Sequence, residues 1–166
     1  TLSIEDHSSC DYKKLDKFNL VVEKGIRINN KNIIFEDNYW KISGSHDGYL
    51  KKFKTIHERE IEFYPEQMKF IGFDKLLKKD KSKNIKFDIR FHLTPDTKVM
   101  KTQDNKSILI ELEDEGWKFN CDNFNINIDN GLYLGIKNSY KENQNICISG
   151  ICQDDVQTIK WEITRL

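Results

Sequence analysis

Ile85-Lys86-Phe87-Asp88-Ile89-Arg90-Phe91-His92-Leu93 alternates apolar and polar side chains without a break. Successive side chains of a β-strand point to opposite faces, so Ile85, Phe87, Ile89, Phe91 and Leu93 share one face and Lys86, Asp88, Arg90 and His92 the other. The stretch predicts a half-buried strand with its apolar face on a core. The same period recurs at Ile108, Ile110 and Leu112, at Trp117, Phe119 and Cys121, and at Ile159, Trp161 and Ile163. Gln103-Asp104-Asn105, Asp114-Glu115-Gly116, Asp122-Asn123 and Asp129-Asn130-Gly131 are residue types that accept left-handed backbone or cap their own amides, and they predict the intervening turns.

Working towards the N-terminus, further strands are expected over Phe18 to Val22, Gly25 to Phe35, Tyr39 to Ser45, Thr55 to Tyr64 and Met68 to Phe73. A short helix is expected around Phe73 to Lys79, followed by an exposed lysine-rich loop to Lys83. About a dozen short strands cannot cover their apolar faces in one open sheet. The prediction is an all-β fold, a two-sheet antiparallel β-sandwich, as a single domain over residues 1–166. No repeat, low-complexity linker or internal break divides it.

Composition agrees. The 166 residues suffice for one core without staples, and the chain has no alanine, the best helix former. Lys plus Arg and Asp plus Glu are 27 each, so no overall charge draws the chain to nucleic acid or to an anionic membrane. Cys10, Cys121, Cys147 and Cys152 lack zinc-finger or CxxC spacing and read as ordinary thiols, which leaves the redox compartment open. No apolar run approaches the roughly 20 residues of a membrane-spanning helix. Nucleotide-binding and serine-hydrolase motifs are absent. Thr1 stands where an initiator Met would, directly before the alternating Leu2-Ser3-Ile4, so the chain is expected to be part of a longer protein.

Three motifs occur in a telling order: Ser45-His46-Asp47-Gly48-Tyr49, then Ile56-His57-Glu58-Arg59, then Arg90-Phe91-His92-Leu93-Thr94-Pro95. With Gly116-Trp117-Lys118-Phe119 and the closing Trp161-Glu162-Ile163, the series resembles the C-terminal β-domain of heparinase II/III-like polysaccharide lyases over nearly the whole chain. The resemblance implies an N-terminal helical toroid outside this sequence, a cleft at the junction of toroid and sandwich, and an acidic polysaccharide as substrate. It also implies a family histidine just ahead of Thr1 and favours a periplasmic or secreted setting, with a cytoplasmic one left open. The reaction of such lyases is β-elimination at a uronic acid: a base takes the proton next to the carboxylate and an acid protonates the leaving oxygen, with tyrosine or histidine suited to both transfers. Since the toroid brings most of the catalytic group, no catalytic residue is assigned here and the isolated chain is expected to be inactive.

His57 is the candidate metal ligand, because some members of the resembled family carry zinc in the sandwich and imidazole is a good zinc donor. Its companions are not evident: Thr1 occupies one expected ligand position, and no Asp near Asn19 is matched with certainty. The structural alternative puts His57 and Arg59 on one strand face with Ile61 and Phe63, as a hydrogen-bonded or ion-paired end of the core. His46, Tyr49, Arg59, Arg90 and His92 are the candidate substrate-binding residues. His46 and Tyr49 flank a tight Asp-Gly turn and are expected to be partly exposed. Arg90 and His92, with Lys86, form a cationic strand face suited to a uronate or sulfate, or else an exposed face balanced by Asp88. Lys51, Lys52, Lys54, Lys75, Lys78, Lys79, Lys81 and Lys83 either steer a polyanion or form solvated loops. Two other functions compete with the lyase domain: a carbohydrate-binding module using Tyr39, Trp40, Tyr133 and Tyr140 as aromatic platforms, and a purely structural domain.

Overall fold

The computed structural model describes residues 1–16, 20–80, 82–137 and 139–166. Among these, fourteen strands form a four-stranded sheet, an eight-stranded sheet and a two-stranded hairpin. The small sheet has the order β1 (Leu2–Ile4), β8 (Ile85–His92), β13 (Ser139–Cys152), β12 (Asn125–Ile136). The large sheet runs β4 (Ile28–Glu36), β5 (Tyr39–His46), β6 (Thr55–Tyr64), β7 (Lys69–Lys78), β14 (Val156–Arg165), β11 (Gly116–Cys121), β10 (Ser107–Glu111), β9 (Lys98–Lys101). All pairings are antiparallel, and β2 (Asp11–Lys14) with β3 (Leu20–Lys24) makes the hairpin.

The β8 alternation does what its period requires: Ile85, Phe87 and Ile89 are buried and face the core. From the small sheet Leu2, Ile4, Ile126, Ile146 and Ile148 join them, and from the large sheet Leu76, Ile108, Ile110, Phe119, Ile159 and Trp161. Each such side chain contributes ~1.5–3 kcal/mol on leaving water. Phe91 binds the two layers, with its ring edge-on to Trp161 at 4.8 Å and to Phe119 at 5.0 Å.

Two local expectations are overturned. Residues 73–78 are not helical but the second half of β7, in which Gly72, Asp74, Leu76 and Lys78 are buried in strict alternation. Polar residues at two of those core positions hid the strand period. Lys78 is therefore buried, not solvated, and its ammonium donates to the carbonyls of Lys83, Cys152 and Gln153 at 2.8–3.4 Å. The helix that does form is one turn, α1 (Leu50–Phe53). Asp129-Asn130-Gly131 is no turn either; it runs through the middle of β12, opposite Asn143 to Asn145. A Cβ on Gly131 would come within 2.2 Å of the Asn145 amide, so this glycine serves close strand packing rather than chain reversal. The turns at Asp104-Asn105, Glu115 and Asp122-Asn123 lie where expected, with Asn105 and Asn123 at φ 58° and 65°. The expected strand from Phe18 begins at Leu20 among the described residues, Lys17 to Asn19 lying outside them with Lys81.

Because the large sheet is twice as wide as the small one, its β4–β5 end overhangs the core. Register carries the core-facing side outward from Trp161 through Gly72, Ile61 and Ile42 to Ile33, and from Ile163 through Phe70, Phe63 and Trp40 to Phe35. At the far end Ile33 and Phe35 are 72% and 75% exposed. The rings form a continuous row: Phe35 on Trp40 at 5.0 Å, Trp40 on Phe63 at 5.0 Å and Phe63 on Phe70 at 4.2 Å.

Candidate functional site: a buried His-His-Asp-Arg network

Directly paired residues of an antiparallel ladder project to the same face. In β6 that face carries His57 and Arg59; β5 brings His46 opposite His57, and β7 brings Asp74 opposite Arg59. The Asp74 carboxylate, fully buried, is the hub. Its Oδ1 receives His57 Nε2 at 2.6 Å and Arg59 Nε at 2.7 Å, while Oδ2 receives the Trp161 indole N–H at 2.9 Å. Burial pushes Asp74 up, but the His57 hydrogen bond and the Arg59 charge outweigh it and hold the carboxyl at about 2.

Hydrogen-bond logic sets the tautomers. The Gly48 backbone N–H must donate, and it meets His46 Nδ1 at 3.2 Å. His46 Nε2 therefore carries the proton and donates to His57 Nδ1 at 3.0 Å, which leaves His57 Nε2–H for Asp74. The result is one oriented chain from the Gly48 turn to the buried carboxylate. Burial first, then the neighbouring His57, lower His46 to about 4, so it is neutral near pH 7.

Arg59 leads outward. Its Nη2 is buried without a hydrogen-bond partner, while the side chain as a whole keeps 29% exposure. Arg90 meets Asp88 at 3.2 Å, Ser3 Oγ at 3.2 Å and Asp129 at 3.9 Å. His92 is exposed, with Nδ1 3.1 Å from Asn145 Oδ1. Tyr49 differs from its expected partial exposure: it is 1% exposed and its hydroxyl donates to the Leu2 carbonyl at 2.5 Å, tying the Asp-Gly turn to β1.

Asp74 and Trp161 complete the network and were not singled out from sequence as site residues. The signal for Asp74 was its parity with Gly72 and Leu76. The described residues do not form a zinc cage as arranged. Both nitrogens of His57 are engaged, and no group of three His, Cys, Asp or Glu side chains is placed to hold a metal ion. The four cysteines are free thiols.

Two sheets over one core, with a charged network at one end, define a β-sandwich domain. The profile of the Heparinase II/III-like, C-terminal family matches residues 1–162, and the chain belongs to that family. Among solved structures it is similar to heparan sulfate lyase HepC from Pedobacter heparinus, with TM-score 0.75 at 12% identity over 99% of this chain and 23% of that one. It is also similar to the heparinase III BT4657 gene product, with TM-score 0.69 at 13% identity over 84% of this chain and 21% of that one. The chain thus spans less than a quarter of the length of these structures. No curated protein sequence matches it.

Proposed function

We propose that this domain forms one wall of the substrate cleft in a longer polysaccharide lyase that cleaves a uronic-acid polymer by β-elimination. The observation that carries the reading is the family match along nearly the whole chain; the structural relatives whose names describe heparan sulfate and heparin lyases support it. The chemistry of the margin fits. Abstracting the proton next to a carboxylate builds negative charge on that group, and a guanidinium held in place stabilises it. Arg59, fixed through Nε by Asp74 and with Nη2 unpartnered, is the group best placed for this. Along β8 the margin continues as polar groups, Arg90 paired with Asp88 and His92 bonded to Asn145. Proton transfer itself falls to residues of the helical part outside this chain.

The overhanging row Phe35, Trp40, Phe63, Phe70, with Ile33 and Ile42, supports a seat for that helical part, since a contiguous apolar face of this kind is what a partner covers. The test measures the ultraviolet absorbance of unsaturated uronate on heparan sulfate and other acidic polysaccharides, for this chain and for the longer protein. Activity in the longer protein alone is expected; activity of this chain alone would reverse the division of labour.

One observation favours a glycan-binding role for the chain by itself: Phe35 and Trp40 stack at an interplanar angle of 25° with both rings accessible. Tyr39 is less suited, because its hydroxyl is bonded to Glu62 at 2.8 Å. Calorimetry with neutral and acidic oligosaccharides, on the chain and on its Trp40→Ala variant, separates this reading from the cleft wall.

A further inference from the structure

Beside the Asp47-Gly48 turn lies a cavity of about 680 Å³ whose lining includes Arg27, Lys51, Lys54 and Lys79 against only two carboxylates, Asp11 and Asp47. The chain as a whole carries 27 cationic and 27 anionic side chains, so four against two is a local excess. Asp47 spends part of its capacity on the backbone, accepting the Arg27 N–H at 2.9 Å. Among the described residues none of the four cations makes an ion pair, although Lys41, Lys69, Lys75, Lys98 and Lys141 elsewhere all do.

Backbone hydrogen bonds hold Arg27, Lys54 and Lys79 in place around the cavity. Arg27 and Asp47 clasp each other, the Asp47 N–H returning to the Arg27 carbonyl at 3.3 Å. The Lys79 N–H donates to the Lys54 carbonyl at 2.7 Å, which ties the chain just after β7 to the end of α1. Lys54 sits in the left-handed region at φ 53°, with its N–H on the Leu50 carbonyl. Gly48 closes the inner wall so tightly that a Cβ there would lie 2.4 Å from the Ser9 carbonyl oxygen. Four cations gathered around one cavity with only two carboxylates to balance them repel one another, and an oxyanion relieves that repulsion. A flexible ammonium suits a sulfate or carboxylate as a point charge, and the single arginine adds a planar fork.

We propose that this cavity is a second anion subsite, which takes a sulfate or carboxylate group of an acidic polysaccharide away from the reacting sugar. The source of the anion rests on the lyase reading; the anion chemistry rests on the cavity. Gly48 lines this cavity and also caps His46, so the subsite stands one turn from the buried network.

Nuclear magnetic resonance titration of this chain with a heparan sulfate oligosaccharide tests it, beside the triple variant Lys51→Gln, Lys54→Gln, Lys79→Gln and a control triple variant of equal charge change, Lys13→Gln, Lys31→Gln, Lys106→Gln. Shifts centred on Gly48, Lys51, Lys54 and Lys79 are expected, with association weakened about tenfold in the first variant and less than about twofold in the control. Equal loss in both, or none in either, overturns the subsite. Inorganic sulfate alone is expected to shift the same residues and to be displaced by the oligosaccharide; sulfate shifts that the oligosaccharide leaves unchanged overturn the glycan as source. Unsaturated uronate released by the longer protein is read separately, so the lyase assignment and the subsite fail independently.

Discussion

Trp161 lies directly over Gly72, so close that a Cβ on that glycine would stand 2.0 Å from the indole ring. The missing side chain lets β14 lay its tryptophan onto β7 and turn the indole N–H to Asp74 at 2.9 Å. Core packing and the charged network are therefore coupled through one residue without a side chain.

Gly72→Ala should push the indole off its seat and cost roughly 2–4 kcal/mol, since both overpacking and a lost hydrogen bond to a buried carboxylate act together. Chemical unfolding monitored by tryptophan fluorescence measures it. A change below about 0.5 kcal/mol would show that the ring yields freely.

Asp74→Asn should destabilise by about 3–5 kcal/mol, because Arg59 then loses its buried counter-charge. The double variant Asp74→Asn, Arg59→Met should recover part of that loss. Urea unfolding of the four proteins forms the cycle, and additivity of the two substitutions would mean that the pair is not coupled.

Acid should weaken the fold in two steps. His46 is lowered in the folded state from 6.5 to about 4, so the unfolded chain binds its proton first and stability falls as pH drops from about 6.5 to 4. The size of this step is on the order of 2 kcal/mol after allowance for solvent screening. Asp74 is lowered from 3.8 to about 2, so its contribution is complete above pH 4 and is lost as pH falls towards 2. Melting temperature against pH, with His46→Gln removing only the first step, checks the assignment.

Lys78→Met should cost roughly 1–3 kcal/mol by leaving the carbonyls of Lys83, Cys152 and Gln153 without their shared donor. Amide hydrogen exchange at the end of β7 and the start of β14 should accelerate more than in the centre of either strand.

The strands that could be read in advance are those whose core positions are apolar. β8 announces itself through four alternating hydrophobes, and Thr55–Tyr64 has the bounds expected of it, with Ile56, Ile61, Phe63 and Tyr64 as its strand formers. β7 was legible only to Phe73, since Asp74 and Lys78 occupy core positions that hydrophobic periodicity counts as exposed. Apart from the Lys83 carbonyl, their partners lie 15 to 87 residues away in sequence, which local pattern does not register. For the same reason the shared face of His57 and Arg59 was readable as an ion-paired end, while the partner they share was not. Asn130-Gly131 misled in the opposite direction, because a turn dipeptide was used for close contact between strands.

The overhang of the large sheet has a consequence for handling the domain by itself. Its outermost strand, β4, offers an open ladder edge and, beside it, bare isoleucine and phenylalanine, a combination that favours edge-to-edge aggregation. The irregular register between Asn29 and Asn32, with Asn30 at φ 52°, interrupts that edge and limits the flat template to its second half. Colloidal solubility of the separated domain thus hangs on a short kink of asparagines, and a lysine in place of Ile33 or Phe35 should extend its shelf life in concentrated solution without touching the core.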